Sequence, residues 1–516
     1  SSVVASIAAD SRYWLWINGE PVVREGGLKR GPAPGDSYFD RVEIAPYLKQ
    51  GDNMIAVLVW HFGKNGFSHL DSGTAGLLFQ AEGDGVEILS QDDGTWECSL
   101  LPAYQIADIP VPNYRLPESS IRYDAREDLA CEWYKGEGNG EMELPDNLPF
   151  RPGEGPFGAL VERPIPLWKD YGVRNYESVE RRGDTLVCKL PYNLHAHPIL
   201  KVKAPSGKVI TMFTDHFCVT DAYCLGAQYV TGDGIQEYEH LCWLNGEKMY
   251  YVVPEGVEVL EVKYRETGYD CEFAGSFKCD DSVLNEYYKK AARTLYVCMR
   301  DTYYDCPDRE RAQWPGDEVN ELGMAFYQLS PSACKLAVKG ITELCSWAKP
   351  DGSIYGPVPS GNWFKELPMQ SLAAIGWYGL RRLAYYSGDY SFIPGLYPAI
   401  HRFLHETWEL DEDGLPIYRD GNEIWDWPDA GDHQDREPQL ALWYYLALKA
   451  EKEFATKIGE IGDAAVDEAM MSRIASSFND RYWNGSEYRS KGYTGATDDR
   501  IHALAVVSGM AGQDKY

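Results

Sequence analysis

The apolar pattern of this chain changes period once, near Cys279-Asp280-Asp281-Ser282, and nothing else in the sequence constrains the fold as strongly. Before that point, apolar runs of strand length are punctuated by Gly, Pro and Asp; after it, apolar residues recur at helical spacing. Residues 13–17 lead into Asn18-Gly19, a strong two-residue hairpin signal, and on to Pro21-Val22-Val23. Residues 53–60, 186–190, 200–203, 208–213 and 257–264 also read as strands. Short strands with no long helical pattern between them predict β-sandwich modules. The stretch 109–170, rich in Pro and Gly, reads as a long ordered connection, too aromatic for a flexible linker. Beyond the switch, an acidic cap opens a helix over 283–295 with Leu284, Tyr287, Ala291 and Leu295 on one face. Helical patterns follow at 318–330, 332–348, 368–387, 391–410, 438–457, 464–479 and 498–508, with short and long connections alternating. The expected class is therefore multidomain β + α, divided as 1–108, 109–275 and 276–516. In a series of helical hairpins the long loops are the natural place for a site.

Composition narrows the partners. With 49 Lys+Arg against 79 Asp+Glu the net charge is −30, which argues against nucleic acid and against docking on anionic membranes. No apolar run is long enough to cross a bilayer, so no membrane insertion is expected. The first residues carry no basic and apolar leader pattern, which leaves the compartment open. The 36 Tyr and 16 Trp supply flat amphipathic rings suited to sugars as well as to sheet cores. Twelve cysteines between Cys98 and Cys345 form no Cys-x-x-Cys pair, and His195-Ala196-His197 has no third ligand nearby. No metal site and no cofactor are expected; oligomeric state is open.

The densest chemistry lies between the first two helical patterns: Asp305-Cys306-Pro307-Asp308-Arg309-Glu310-Arg311-Ala312-Gln313-Trp314-Pro315-Gly316-Asp317. Four carboxylates and two arginines sit here on a segment stiffened by two prolines, with Pro315 suited to a helix start and Asp317 near its cap. Charges of both signs on a stiff loop can set carboxyl groups to different tasks, which glycoside hydrolysis requires: one acid that donates a proton and others that stay ionised. Glu310, central and one turn from Trp314, is the candidate general acid. A second cluster, Asn422 to Asp432, contains Asp426 and Trp427, which could orient and stack on a sugar ring or pack the wall. Trp363, in the loop Pro359-Ser360-Gly361-Asn362-Trp363-Phe364, is the candidate aromatic of a third segment.

The 305–317 motif closely resembles the signature of bacterial α-L-rhamnosidases, glycoside hydrolase family 78, in a form one residue shorter than the commoner one. Residues 12–19, 190–193, 264–269 and 273–280 are similar to other parts of the same family, so the resemblance covers nearly the whole chain. It implies β-sandwich domains followed by an (α/α)6 barrel, and inverting release of terminal α-L-rhamnose from a glycan or glycoside. It implies Glu310 as acid, Asp305 and Asp317 as carboxylates on the sugar hydroxyls, and Arg309 and Trp314 as lining residues. Eight helical patterns where a full barrel has twelve imply a barrel incomplete at its C-terminus and a base beyond Tyr516. Were the chain whole, Glu423 or Asp432 would have to serve as base. A glycosidase of the same barrel type acting on another sugar and a non-catalytic carbohydrate-binding protein are the alternatives.

Overall fold

The computed structural model describes residues 2–89, 96, 99–128, 133–135, 156–215, 218–219, 222–418, 426–427 and 433–515. The chain divides into two compact units: residues 1–270 with 277–311, and residues 271–276 with 312–516.

The first unit is built on β-sheets. A five-stranded sheet runs in the order Leu160–Glu162, Ser37–Glu43, Val3–Asp10, Gly76–Gly83, Val86–Leu89, and a three-stranded sheet in the order Glu20–Gly26, Arg12–Ile17, Ile55–Trp60. Val3, Ala5, Ile7, Tyr13, Leu15, Ile17, Val42 and Phe79 close one core from both sheets, as period-two alternation requires. Asn18 and Gly19 have φ of 53° and 81° and join two antiparallel strands, so the hairpin read from the sequence is present. A ten-stranded sheet follows, centred on the strand Thr185–Ala204. The two strands expected at 186–190 and 200–203 are parts of this one strand. The chain stays extended through Pro191, but the ladder to Leu244–Val252 loses register between Lys189 and Leu194, because proline has no N–H to give. The stretch 109–170, read as a connection, supplies the strands Ile121–Asp124 and Leu160–Glu162 to the two sheets. His195 and His197 are buried, packed histidines: His195 Nε2 lies 2.8 Å from Val297 O and His197 Nε2 lies 3.0 Å from Thr267 Oγ1.

Helix α1 (Ser282–Val297) also belongs to this unit and is capped by Asp281, whose carboxylate accepts from Val283 N and Leu284 N. Its buried residues are Ala292, Leu295, Tyr296 and Val297, while Leu284 and Tyr287 are exposed. The predicted apolar face is thus covered only at its C-terminal end, where the helix meets the long strand.

The second unit is helical: α2 (Pro315–Gln328), α3 (Ala333–Ser346), α4 (Pro368–Ile375), α5 (Leu380–Ser387), α6 (Ile393–Glu406), α7 (Arg436–Ile458), α8 (Ile461–Tyr482) and α9 (Asp499–Ser508). The pattern at 368–387 is two helices rather than one. Gly376 lies so close to Ala447 of α7 and to Leu372 O that a Cβ there would approach 3.0 Å and 2.4 Å, and the chain turns at Gly376–Gly379 before α5 starts. Short connections (329–332, 376–379, 388–392, 459–460) and long ones (347–367, 407–435, 483–498) join these helices, and they alternate except at 376–379 and 388–392, where two short ones follow each other. The overall class is the expected one, β-sheets followed by a helical domain. Among the described residues no helix is long and apolar enough to cross a membrane.

Candidate active site

The 305–317 motif spans the division of the chain: Asp305, Arg309 and Glu310 lie in the first unit, Trp314 and Asp317 in the second. Each part is held by its own unit.

In the first unit the segment leading to Glu310 rests on buried charge. Asp301 is ion-paired with Arg12, accepts from Lys29 N at 3.0 Å and from Tyr304 Oη at 3.1 Å. Lys29 Nζ reaches Glu118 Oε1 at 3.0 Å, and Arg311 reaches the same oxygen at 3.4 Å. Arg300 pairs with Glu25. The cations Arg12 and Lys29 hold the Asp301 carboxyl well below its usual range despite burial, and Lys29 and Arg311 hold Glu118 down to about 2. Arg311 adopts φ 53°, a left-handed conformation uncommon for a residue with a Cβ. Three contacts fix it there: Nε donates to Pro307 O at 2.7 Å, Nη1 meets Glu118, and the guanidinium lies 3.4 Å from the centre of the Trp243 ring.

On this base sit the candidate residues. Glu310 is buried, with Oε1 at 3.3 Å from Arg115 Nε and 3.2 Å from Arg309 Nε. Asp305 Oδ2 accepts from Arg309 at 3.1 Å and from the Cys306 thiol at 3.0 Å. Burial beside Asp305 pushes that thiol up, so it stays a donor. Asn113 donates to Arg309 O at 2.8 Å. Asn113, Arg115 and Glu118 were not picked out by sequence reasoning. They lie in the stretch read as a connection, about 190 residues from the motif, and no spacing ties them to it.

In the second unit, Trp314 stands just before α2 and meets Trp363 of the long 347–367 loop edge-on, ring centres 6.3 Å apart. Gln313 Nε2 donates to Val358 O at 3.1 Å and ties that loop to the motif. Asp317 is exposed in the first turn of α2, where a carboxylate complements the helix dipole. Trp427 of the 407–435 loop lies over the same helix start. A Cβ on Gly316 would come within 2.5 Å of Trp427 Nε1 and 2.7 Å of Gln370 Oε1, and Gly316 N donates to that oxygen at 3.1 Å. Asp426 is fully buried; its carboxylate accepts from Met369 N at 2.6 Å and Gln370 N at 3.4 Å at the start of α4, and burial pushes it up to about 7. The unit thus brings Trp314, Asp317, Trp363 and Trp427 around the N-terminus of α2, while the Asp426 carboxylate holds the start of α4. Glu423 and Asp432 lie outside the described residues. Gly316→Ala should destabilise the protein by about 1–3 kcal/mol through overpacking, seen as a lower urea midpoint at unchanged slope; an unchanged midpoint would show that Trp427 and Gln370 yield freely.

Residues 272–515 match the family model of the bacterial alpha-L-rhamnosidase six-hairpin glycosidase domain. No curated protein matches the chain. Among solved structures, a GH78 family rhamnosidase of Bacillus sp. GL1 superposes with a TM-score of 0.83 at 17% identity, over 99% of this chain and 78% of that one. The alpha-L-rhamnosidase of Dictyoglumus thermophilum gives 0.76 at 17% identity, over 100% of this chain and 58% of its own. That of Streptomyces avermitilis, complexed with L-rhamnose, gives 0.76 at 16% identity, over 100% of this chain and 50% of its own. At these identities the superpositions establish the fold, and residues 272–515 are similar to the bacterial alpha-L-rhamnosidase six-hairpin glycosidase domain.

Proposed function

We propose that this protein hydrolyses terminal α-L-rhamnosyl linkages with inversion, using Glu310 as general acid, in a helical domain of (α/α)6 type. The observation that carries the reading is the placement of Glu310: buried and braced by Arg115 and Arg309, in a stretch similar to the rhamnosidase six-hairpin domain and in a chain whose fold matches the Streptomyces avermitilis alpha-L-rhamnosidase complexed with L-rhamnose.

In the proposed step the Glu310 carboxylic acid gives its proton to the glycosidic oxygen as the bond from that oxygen to the anomeric carbon breaks. Water adds to the anomeric carbon from the opposite face, and a second carboxylate takes the water's proton. The two guanidiniums then stabilise the Glu310 carboxylate left behind. Asp305 and Arg309 would hold sugar hydroxyls. Trp314, Trp363 and Trp427 offer ring faces and edges to the apolar side of a deoxy sugar, and Asp317 adds an accessible carboxylate. Asp426 would act through α4, by fixing the turn that carries Gln370.

The test is release of free sugar from aryl α-L-rhamnosides by the intact protein, with the anomer of the first product read by NMR. Release of β-L-rhamnose is expected. Activity confined to another sugar would overturn the substrate, and an α product would overturn inversion.

A further inference from the structure

Three helices of the second unit, α6, α7 and α8, bring together a set of nitrogen and oxygen donors that are not part of the 305–317 motif. On α6, His401 and His405 are one turn apart, with ring centres 4.3 Å from each other. On α8, Asp463 and Asp467 are also one turn apart. Glu451 of α7 stands between the pairs. Glu451 Oε1 is 2.8 Å from His401 Nδ1, and its Oε2 is 2.9 Å from His405 Nε2. Asp467 Oδ1 lies 3.1 Å from the same His405 nitrogen, and Asp463 Oδ2 lies 3.9 Å from His401 Nδ1. Donor atoms of His401, His405 and Glu451 all fall within 4.8 Å of one another.

Hydrogen bonding accounts for Glu451 and Asp463 but not for Asp467. Three carboxylate oxygens lie within 3.1 Å of two ring nitrogens, and each such nitrogen carries at most one hydrogen. His405 spends its Nε2–H on Glu451. Neither oxygen of Asp467, which is 0% exposed, is left with a well-directed donor. Glu451 is also 0% exposed, and among the described residues no lysine or arginine pairs with Glu451, Asp463 or Asp467. A divalent cation would neutralise two buried carboxylates while both imidazoles stay neutral, and would give the Asp467 carboxylate a partner.

We propose that His401, His405, Glu451 and Asp467 form a binding site for a divalent transition-metal ion of the zinc class. Mixed imidazole and carboxylate donors select such an ion over calcium or magnesium, which prefer oxygen alone. Asp463, which accepts a hydrogen bond from Tyr397 Oη at 2.9 Å, adds a further negative charge 3.9 Å from His401 Nδ1. The ion would pin α6, α7 and α8 together, and its role is structural.

The experiment uses the full chain, stripped with EDTA and dialysed, then titrated with Zn2+ by calorimetry and with Co2+ by visible absorption. Binding of about one equivalent is expected, with ligand-field bands in the Co2+ form and a rise in Tm on adding Zn2+. The double variant His401→Ala/His405→Ala should weaken Zn2+ binding at least about 100-fold. Should that variant not fold, histidine modification by diethyl pyrocarbonate, mapped on the wild type with and without Zn2+, decides the matter: Zn2+ should protect both residues. Absence of Zn2+ binding to the wild type, full binding by the double variant, or unprotected histidines in the Zn2+-loaded protein would each overturn the proposal.

Discussion

Glu310→Gln is expected to lower kcat/KM on a rhamnoside with a poor leaving group by about 100- to 10,000-fold, the range that a positioned proton donor supplies. The amide is isosteric and keeps an oxygen for Arg115 Nε and Arg309 Nε, which lie 3.3 and 3.2 Å from Oε1 in the wild type. Burial and packing are therefore conserved, and KM should change little. The size of the loss should track the aglycone. A sugar or alkyl leaving group needs its oxygen protonated as the bond breaks, so the variant loses most there. A nitrophenolate leaves without a proton, so the deficit should shrink towards unity. Steady-state kinetics across a series of aryl and alkyl α-L-rhamnosides check this. Equal turnover by variant and wild type on the poor leaving groups would remove Glu310 from the acid's role. An equal loss on all substrates would instead give it a binding role.

What was legible in the sequence follows the range of the interactions concerned. The Asn18-Gly19 turn and the Asp281 cap depend on neighbours a few residues away, and both are present. The short and long interhelical loops were legible, apart from the turn inside 368–387, because each helix declares its own period. The loops that carry Trp363, Asp426 and Trp427 are the long ones. The long strand through Pro191 was not, since a proline's effect on a ladder depends on which neighbour would have accepted its hydrogen. The break between α4 and α5 rests on the approach of Gly376 to Ala447, a contact made by tertiary packing. The same holds for the sites. Glu310 and its motif are contiguous, but Arg115 and Glu118 reach them only through the fold. The His401, His405, Glu451 and Asp467 cluster draws on three helices, and the spacing of the two histidines alone did not distinguish it from an ordinary helix face.

The second large effect is expected at Asp301, which touches no candidate substrate contact. Asp301→Ala should destabilise the protein by about 3–5 kcal/mol, because it leaves the buried Arg12 guanidinium without its principal counter-charge and takes the acceptor from Lys29 N. The cost arises from the stranded cation rather than from a strong net bond. The double variant Arg12→Met/Asp301→Leu, which removes both charges and refills the volume, should therefore recover much of the stability lost by the single change. Activity should not recover with it. Asp301 lies four residues before Asp305 and anchors the segment that leads to Glu310, so kcat should stay depressed in the double variant while Tm rises. The pH dependence has a definite sign. Asp301 and Glu118 are held below their unfolded values, Glu118 at about 2, so their contribution is complete above the unfolded carboxyl range, about pH 4–4.5, and is lost as pH falls through the folded values. Between about pH 5 and pH 2 the wild type should lose more unfolding free energy than Asp301→Ala, and the two curves should draw closer as pH falls. Parallel denaturation curves across that range, or recovery of kcat together with Tm in the double variant, would show that the buried network is not what positions the segment carrying Glu310.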